Sequence, residues 1–320
     1  MIKKNIKMKE RISIGIDIGG TNLEVAWVDK NAQYLKHFKF RTKDFKKVDD
    51  FVEQIGSLIN EESKGFDDYT IIGLGIGAPN GNYYTGSIDF APNLPWRGFI
   101  PLAKMMEEET GFQVKLTNDA NAAAYAEMKY GGAQRMKNFV VVTLGTGLGS
   151  GIVVNGEMLY GSTGFAGELG HTIAVADGRI CGCGRKGCLE TYVSATGMVR
   201  TMMDVLSSSR EDSSLRSLCN LDSKNIFEAA MAGDKLALEV IQFTGEILGK
   251  QLADYVALFS PEAIFLTGGL AKAHSLLLPT TQKAMDDNML NIYKDTVRLF
   301  PSELMDLNAG LLGAAGLQSI

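Results

Sequence analysis

The sequence predicts an α/β protein built from two related lobes that face a cleft. Two observations carry this. Strands and helices alternate along the chain in a pattern that begins near Ile12 and begins again near Phe139. Each beginning is an apolar strand that runs straight into a glycine-rich turn, Asp17-Ile18-Gly19-Gly20-Thr21 in the first half and Thr143-Leu144-Gly145-Thr146-Gly147 in the second. Turns of this kind expose backbone N–H groups that can cradle phosphate.

The elements follow in order. Ile12 to Ile18 is a β-branched run, Leu23 to Val28 follows after a short turn, and Tyr34 to Phe40 adds a third strand, giving an antiparallel meander. Val48 to Ser63 has apolar residues near helical spacing at Val48, Phe51, Val52, Ile55, Leu58 and Ile59. Ile71 to Ile76 is a compact strand closed by the turn signals of Gly77 to Asn82. Phe99 to Thr110 reads as a helix, Gln113 to Leu116 as a strand and Ala120 to Tyr130 as a helix. In the second half Phe139 to Leu144 is a buried strand, and Gly151 to Val154 pairs with Glu157 to Tyr160 around Asn155-Gly156. Helices then dominate, at Met198 to Leu206, Ile226 to Ala232 and Lys235 to Phe259. Ala263 to Thr267 is a strand ending in a third glycine turn, Thr267-Gly268-Gly269, and Leu311 to Leu317 is a terminal helix rich in small residues.

Bulk properties narrow the function. A chain of 320 residues, 45% hydrophobic, has enough apolar material for one large or two ordinary domains. A net charge of −5 and a pI near 5.4 argue against a nucleic-acid partner. The basic run from Met1 to Arg11 reads as a frayed, solvated tail. No apolar run approaches the ~20 residues that span a bilayer, and no secretory signal is evident, so the expected location is the cytoplasm, away from membranes. Four cysteines in a chain of this size do not make a disulfide scaffold.

The densest chemistry lies between Glu168 and Glu190. His171, Cys181, Cys183 and Cys188 form a Cys₃His set, which suits a closed tetrahedral structural zinc. Gly182 and Gly184 are expected to let the loop fold tightly enough to aim its sulfurs at one point. A Cys181–Cys188 disulfide is the alternative, and Cys219 is left over as a packing residue. Glu168 and Glu190 bracket the loop; either they are solvated carboxylates or the metal holds them as hydrogen-bond groups for a polyhydroxylated ligand. Asp17, Gly19, Gly20 and Thr21 fit a phosphate site in which Asp17 holds a metal ion or its water, although a tight hairpin explains them equally. Asn118-Asp119 is either an N-cap or a carboxylate general base at a strand-to-helix junction. Asn93, between Pro92 and Pro95, is either a turn former or an amide that pairs with hydroxyls.

In that order, the runs DIGGT, GIGAP, APNLPW, NDAN, TLGTGLGSGI, GELGH and CGCGRKGCLE resemble the ROK family of bacterial sugar kinases and related repressors. The resemblance covers the chain from about residue 12 onward. It implies the two-lobed, actin-like, ribonuclease-H-like ATPase fold with an interlobe cleft. The smaller lobe would take residues 1–118 and 306–320 and the larger one 119–305. It further implies a hexose kinase that uses ATP with Mg²⁺, carries a structural Zn²⁺ and assembles as a dimer or tetramer, with glucose as the foremost sugar. Kinases for N-acetylmannosamine, N-acetylglucosamine, mannose or fructose are the alternatives. Position by position, Asp119 matches the catalytic base. Asn93, Asn118, Glu168, His171 and Glu190 match sugar contacts, with His171 also a zinc ligand beside Cys181, Cys183 and Cys188. Asp17, Gly19, Gly20 and Thr21 match the first phosphate motif, Thr143, Gly145, Thr146 and Gly147 the second, and Gly268 and Gly269 the adenosine turn. Repressors of the family carry a helix-turn-helix segment ahead of the first motif. Only sixteen residues precede Asp17 here, which favours the kinase expectation. One departure is Asn80, which stands where the family usually has glycine.

Overall fold

The computed structural model describes residues 9–319. Most of the basic tail therefore lies outside the described residues, while Glu10 and Arg11 already belong to the first strand. The described chain packs as two compact units. The first takes residues up to Gly131, the segment Tyr160–Phe165 and the residues from Leu307 on; the second takes Gly132–Leu159 and Ala166–Asp306. The division expected after residue 118 falls inside the first unit.

The first unit opens with the expected meander, β1 (Glu10–Ile18), β2 (Asn22–Val28) and β3 (Tyr34–Arg41). Helix α1 (Val48–Ser63) leads to β4 (Tyr69–Ala78). A small sheet of β5 (Gly81–Asn82), β6 (Ser87–Asp89) and β7 (Phe99–Ile100) comes next. Helix α2 (Leu102–Thr110), β8 (Val114–Asn118) and α3 (Asp119–Tyr130) complete the run. The main sheet has the order β3-β2-β1-β4-β8, antiparallel across β3-β2-β1 and parallel across β1-β4-β8. Phe99 and Ile100 were expected to be helical. They pair with β6 instead, because Pro101 pushes the residue before it towards extended backbone, and the helix begins at Leu102.

The second unit repeats this plan. Strands β9 (Phe139–Leu144), β10 (Leu148–Val154) and β11 (Glu157–Met158) form an antiparallel meander. Its Asn155-Gly156 turn has positive φ at both positions, 55° and 82°, as a two-residue type I′ hairpin requires. Helices α4 (Ala195–Ser208), α5 (Ser223–Met231) and α6 (Lys235–Phe259) follow. Then come β12 (Ala263–Thr267), α7 (His274–Asn288) and β13 (Arg298–Pro301). The sheet order is β11-β10-β9-β12-β13, with β9, β12 and β13 parallel, so strand order and direction match those of the first unit. Neither α7 nor β13 was expected. Pro279 inside α7 disrupts its helical signal, and β13 is four residues long.

Alternation within β1 and β4 explains their motifs. Ile12, Ile14, Ile16, Ile18, Leu74 and Ile76 enter one apolar core together with Phe51, Ile55 and Ile59 of α1 and Leu102 and Met106 of α2. On the other face the last helix of the chain, α8 (Ala309–Gly316), lies directly on the strands. A Cβ at Gly15 would come within 2.5 Å of the Leu311 carbonyl oxygen, and one at Gly75 within 1.8 Å of that of Ala314. Helix α8 meets α3 as closely, since a Cβ at Gly313 would fall 1.6 Å from the Ala122 carbonyl oxygen. The small residues of the terminal helix exist for this backbone-to-backbone packing. Gly313→Ala is accordingly expected to destabilise the first unit by about 3 kcal/mol or more through overpacking, read as a lower denaturation midpoint. An unchanged midpoint would contradict the packing described.

Candidate active site

Within the first unit, the predicted residues gather at the carboxyl ends of adjacent parallel strands, where open α/β sheets bind ligands. Asp17 near the end of β1 pairs in register with Gly77 of β4, and Ala78 pairs with Asn118 at the end of β8. Asn308, the N-cap of α8, donates from Nδ2 to Asp17 Oδ2 at 2.9 Å. Gly310 in the first turn of α8 packs against the same carboxylate, which a Cβ there would approach to 2.9 Å. Burial pushes the Asp17 carboxyl up to about 7; the Asn308 hydrogen bond works against this, and the charges of Asp119 and Glu24 add to it.

The turn after β1 closes through Gly19 N–H donating to the Asn22 carbonyl, while the Thr42 hydroxyl donates to that of Gly19. Neither Gly19 nor Gly20 needs a left-handed backbone. Gly20 is required by proximity: a Cβ there would lie 3.0 Å from the Asn93 backbone oxygen. Asn93 therefore sits beside the first glycine turn, exposed like Gly20 and Thr21.

Asn118 caps α3, its Oδ1 accepting from Ala120 N–H at 2.8 Å, so the capping reading holds for that residue. Asp119 Oδ1 accepts from the same N–H at 2.8 Å. Asp119 keeps an exposed surface, yet the protein around it strips away enough water to push its carboxyl above the usual carboxylate range, against the pull of the Ala120 amide. A carboxylate held in this state is a stronger base than a solvated one.

Asn80 takes a left-handed backbone, φ 52°, which asparagine tolerates better than most residues with a side chain. Its Nδ2 donates to the Asp89 carbonyl at 2.9 Å, and Asp89 N–H returns a bond to the Asn80 carbonyl. The substitution thus keeps the turn and adds a brace to β6.

In the second unit, β9 and β12 bring their glycine turns side by side. Thr267 pairs with Thr143, and Gly268, φ 93°, is packed so closely on Leu144 that a Cβ would sit 2.6 Å from its carbonyl oxygen. Gly145 and Gly269 border open space. The first turn of α4 holds Gly145 to Gly147 in place: Ala195 N–H donates to the Gly145 carbonyl at 2.9 Å and the Thr196 hydroxyl to that of Thr146 at 2.8 Å.

His171, Cys181, Cys183 and Cys188 converge, their ligand atoms all within 4.8 Å of one another. Cys181 Sγ is 3.6 Å from His171 Nδ1, and Cys183 Sγ is 3.7 Å from Cys188 Sγ. A tetrahedral zinc with its usual bond lengths separates sulfur from nitrogen by about 3.6 Å and sulfur from sulfur by about 3.8 Å, so the donor set fits that ion. The cysteines are free thiols, which excludes the disulfide alternative in this structure. Because Nδ1 faces the sulfurs, Nε2 is the histidine nitrogen available to an outside hydroxyl. Cys219 is exposed, contrary to the packing role expected of it. The loop's tight turns fall at Gly184 and Gly187, with φ 87° and 80°, and not at Gly182; a Cβ at Gly187 would strike the Val175 carbonyl oxygen at 1.7 Å.

Glu190 joins this cluster to the second glycine turn. Its Oε1 lies 2.9 Å from Cys181 Sγ and 3.7 Å from His171 Nδ1, and a Cβ at Gly147 would come within 2.9 Å of Oε2. Sulfurs and a carboxylate crowded together repel once ionised, and a divalent cation among the ligands relieves that repulsion. Glu168 is exposed at the start of the short helical turn Leu169–His171, which Tyr255 of α6 anchors by donating its hydroxyl to the Leu169 carbonyl at 2.8 Å.

Two contributors escaped sequence reasoning. The Arg179 guanidinium donates to the carbonyls of Thr191 and Gly197 and to the Thr201 hydroxyl, pairs with Asp204 at 2.8 Å and stacks on Tyr192. It ties the Cys₃His loop to α4 and no local pattern announces it. Asn308 caps α8, and its bond to Asp17 spans 291 positions of sequence, which no local pattern announces.

The family described as the ROK family matches residues 13–319. A glucokinase of Halalkalibacterium halodurans is 33% identical over 317 residues, 97% of this chain and 96% of that one. The xylose repressor of Bacillus subtilis is 28% identical across 97% of this chain but only 77% of its own length. Among solved structures, a ROK family glucokinase from Streptomyces griseus in complex with glucose and AMPPNP superposes with a TM-score of 0.81 at 33% identity, covering 96% of this chain and 98% of that one. The fold is the two-lobed actin-like ATPase fold that the motifs implied.

Proposed function

The chain belongs to the ROK family, and we propose that within it the protein is an ATP-dependent hexose 6-kinase that converts D-glucose and ATP to glucose 6-phosphate and ADP in the cytoplasm. The observation that carries this reading is Asp119: a carboxylate with raised basicity at the carboxyl edge of the first sheet, in the same cluster as Asp17 and the first glycine turn. A sugar sensor of the xylose-repressor kind has little use for such a base, whereas phosphoryl transfer to a hydroxyl needs one. The glucose assignment is supported by the glucokinase relatives.

In this reading Asp119 accepts the proton of the 6-hydroxyl as its oxygen attacks the γ-phosphorus in line, and the β,γ-bridging oxygen leaves with ADP. Asn93 and Asn118 of the first unit carry amides suited to sugar hydroxyls; within the second unit, Glu168, His171 Nε2 and Glu190 form a set of the same chemistry. The backbone amides of Gly19 to Thr21 and of Gly145 to Gly147 hold the phosphates, while Gly268 and Gly269 leave room for the adenosine. When bound, Mg²⁺ would neutralise phosphate charge near Asp17, and zinc on the Cys₃His set would fix the loop without joining the chemistry. A wrong sugar leaves buried polar groups unpaired, which is a strong basis for discrimination.

ADP release measured over a panel of hexoses tests the reading. D-glucose is expected to give the highest kcat/KM; N-acetylmannosamine, N-acetylglucosamine, mannose or fructose leading instead would reassign the sugar, and no turnover with any hexose would remove the kinase reading.

A further inference from the structure

Away from the glycine turns, at the amino-terminal edge of the first unit's sheet, is a recess of about 190 Å³. Arg11 and Ser13 line it from the start of β1, Asp29 and Lys30 from the turn after β2, and Lys129 and Tyr130 from the last turn of α3. Three cationic side chains therefore surround one carboxylate. That carboxylate is already committed: Asp29 Oδ1 accepts the backbone N–H groups of Asn31 and Gln33, both at 2.8 Å, and Asp29 is buried. Lys30 meets Glu10 at 3.2 Å in an exposed pair, too weak to remove its charge from the recess. Burial pushes the Lys129 ammonium below its ordinary range and the Arg11 charge pushes it the same way, so these two cations oppose each other across a partly dry space. Burial, helped by Asp29, pushes the Tyr130 hydroxyl up to about 12, which keeps it a proton donor.

We propose that this recess is a second, non-catalytic binding site for a small dianion of the phosphate or phosphomonoester class. Arg11 presents a fork of N–H donors matched to phosphate oxygens, and Lys30, Lys129, Ser13 and Tyr130 complete a donor set. The volume, equal to about six water molecules of liquid, is more than a bare phosphate fills and suits a short organic phosphate. β1 runs from Arg11 to Asp17 and α3 from Tyr130 back to Asp119, so the elements that line the recess also carry the proposed catalytic carboxylates.

Calorimetric titration of the full chain with inorganic phosphate and with glycerol 3-phosphate, in phosphate-free buffer containing saturating AMPPNP, tests the site. Wild type is expected to bind one anion per chain, and the double variant Arg11→Gln, Lys30→Gln to bind at least tenfold more weakly. Both changes are on exposed side chains outside the catalytic set. Tighter binding of glycerol 3-phosphate identifies a phosphorylated metabolite as the ligand, and equal binding identifies the free ion. Anion binding that is the same in the double variant as in wild type, or absent from wild type, overturns the proposal, and the comparison decides it whether or not AMPPNP itself binds.

Discussion

Asp119→Asn is expected to lower kcat by roughly 10²–10⁴-fold, the range a positioned general base supplies, while glucose binds with nearly its wild-type affinity. The separation of the two effects follows from geometry. Asparagine has the shape of aspartate and its Oδ1 can still accept from Ala120 N–H, so α3 keeps its start and the site its form. What disappears is the group that takes the proton. In the wild type that group must be ionised, and its surroundings hold the carboxyl above the usual range. The acid limb of kcat/KM is therefore expected to lie above the pH where a solvated carboxylate titrates, with activity falling as pH drops through it. The part of that limb due to Asp119 should vanish from whatever residual rate the variant retains, leaving the one that Asp17, pushed up to about 7, imposes. Near-wild-type turnover in Asp119→Asn, or an acid limb unchanged by it, would remove Asp119 from the role.

Loss of one donor of the proposed zinc site should be nearly as severe. Cys183 is the exposed member of the Cys₃His set, so Cys183→Ser takes away a ligand without opening a core cavity. The variant is expected to hold less than one zinc per chain by elemental analysis. Its kcat/KM for glucose should fall about 100-fold, mainly through KM, because displacement of a positioning group by ~1 Å costs that much. The route is structural. His171 is itself one of the four donors, Glu190 touches both Cys181 and the second glycine turn, and Leu189 N–H bonds back to the Thr172 carbonyl. A chelated protein that stayed folded and fully active would show that the loop holds its own shape.

Much of this architecture was legible in the chain because its causes are local. Helix α6 was found at its full length, since Asp234 caps it and its apolar periodicity is uninterrupted. The three glycine turns were found because each follows an apolar strand. What stayed hidden depends on distance or on exceptions. The β5-β6-β7 sheet is made of strands two or three residues long, and α7 carries a proline in its interior. Gly182 looked equivalent to its neighbours, yet only the fold reveals that Gly187, pressed against Val175, has no room for a side chain. Asp17 and Asp119 could be suspected separately, but their mutual influence arises because β1, β4 and β8 lie side by side.

Helix α8 has a consequence for how the chain becomes a protein. The first unit begins at the start of the sequence, yet the helix that covers β1, β4 and α3 is synthesised after all of the second unit. Order of synthesis and order of completion are therefore reversed: on the ribosome the later-made unit can close its core first, while the earlier one waits with a glycine-lined face open. Asp17 also waits for its hydrogen bond from Asn308, so the first glycine turn acquires its finished carboxylate only when the last helix arrives.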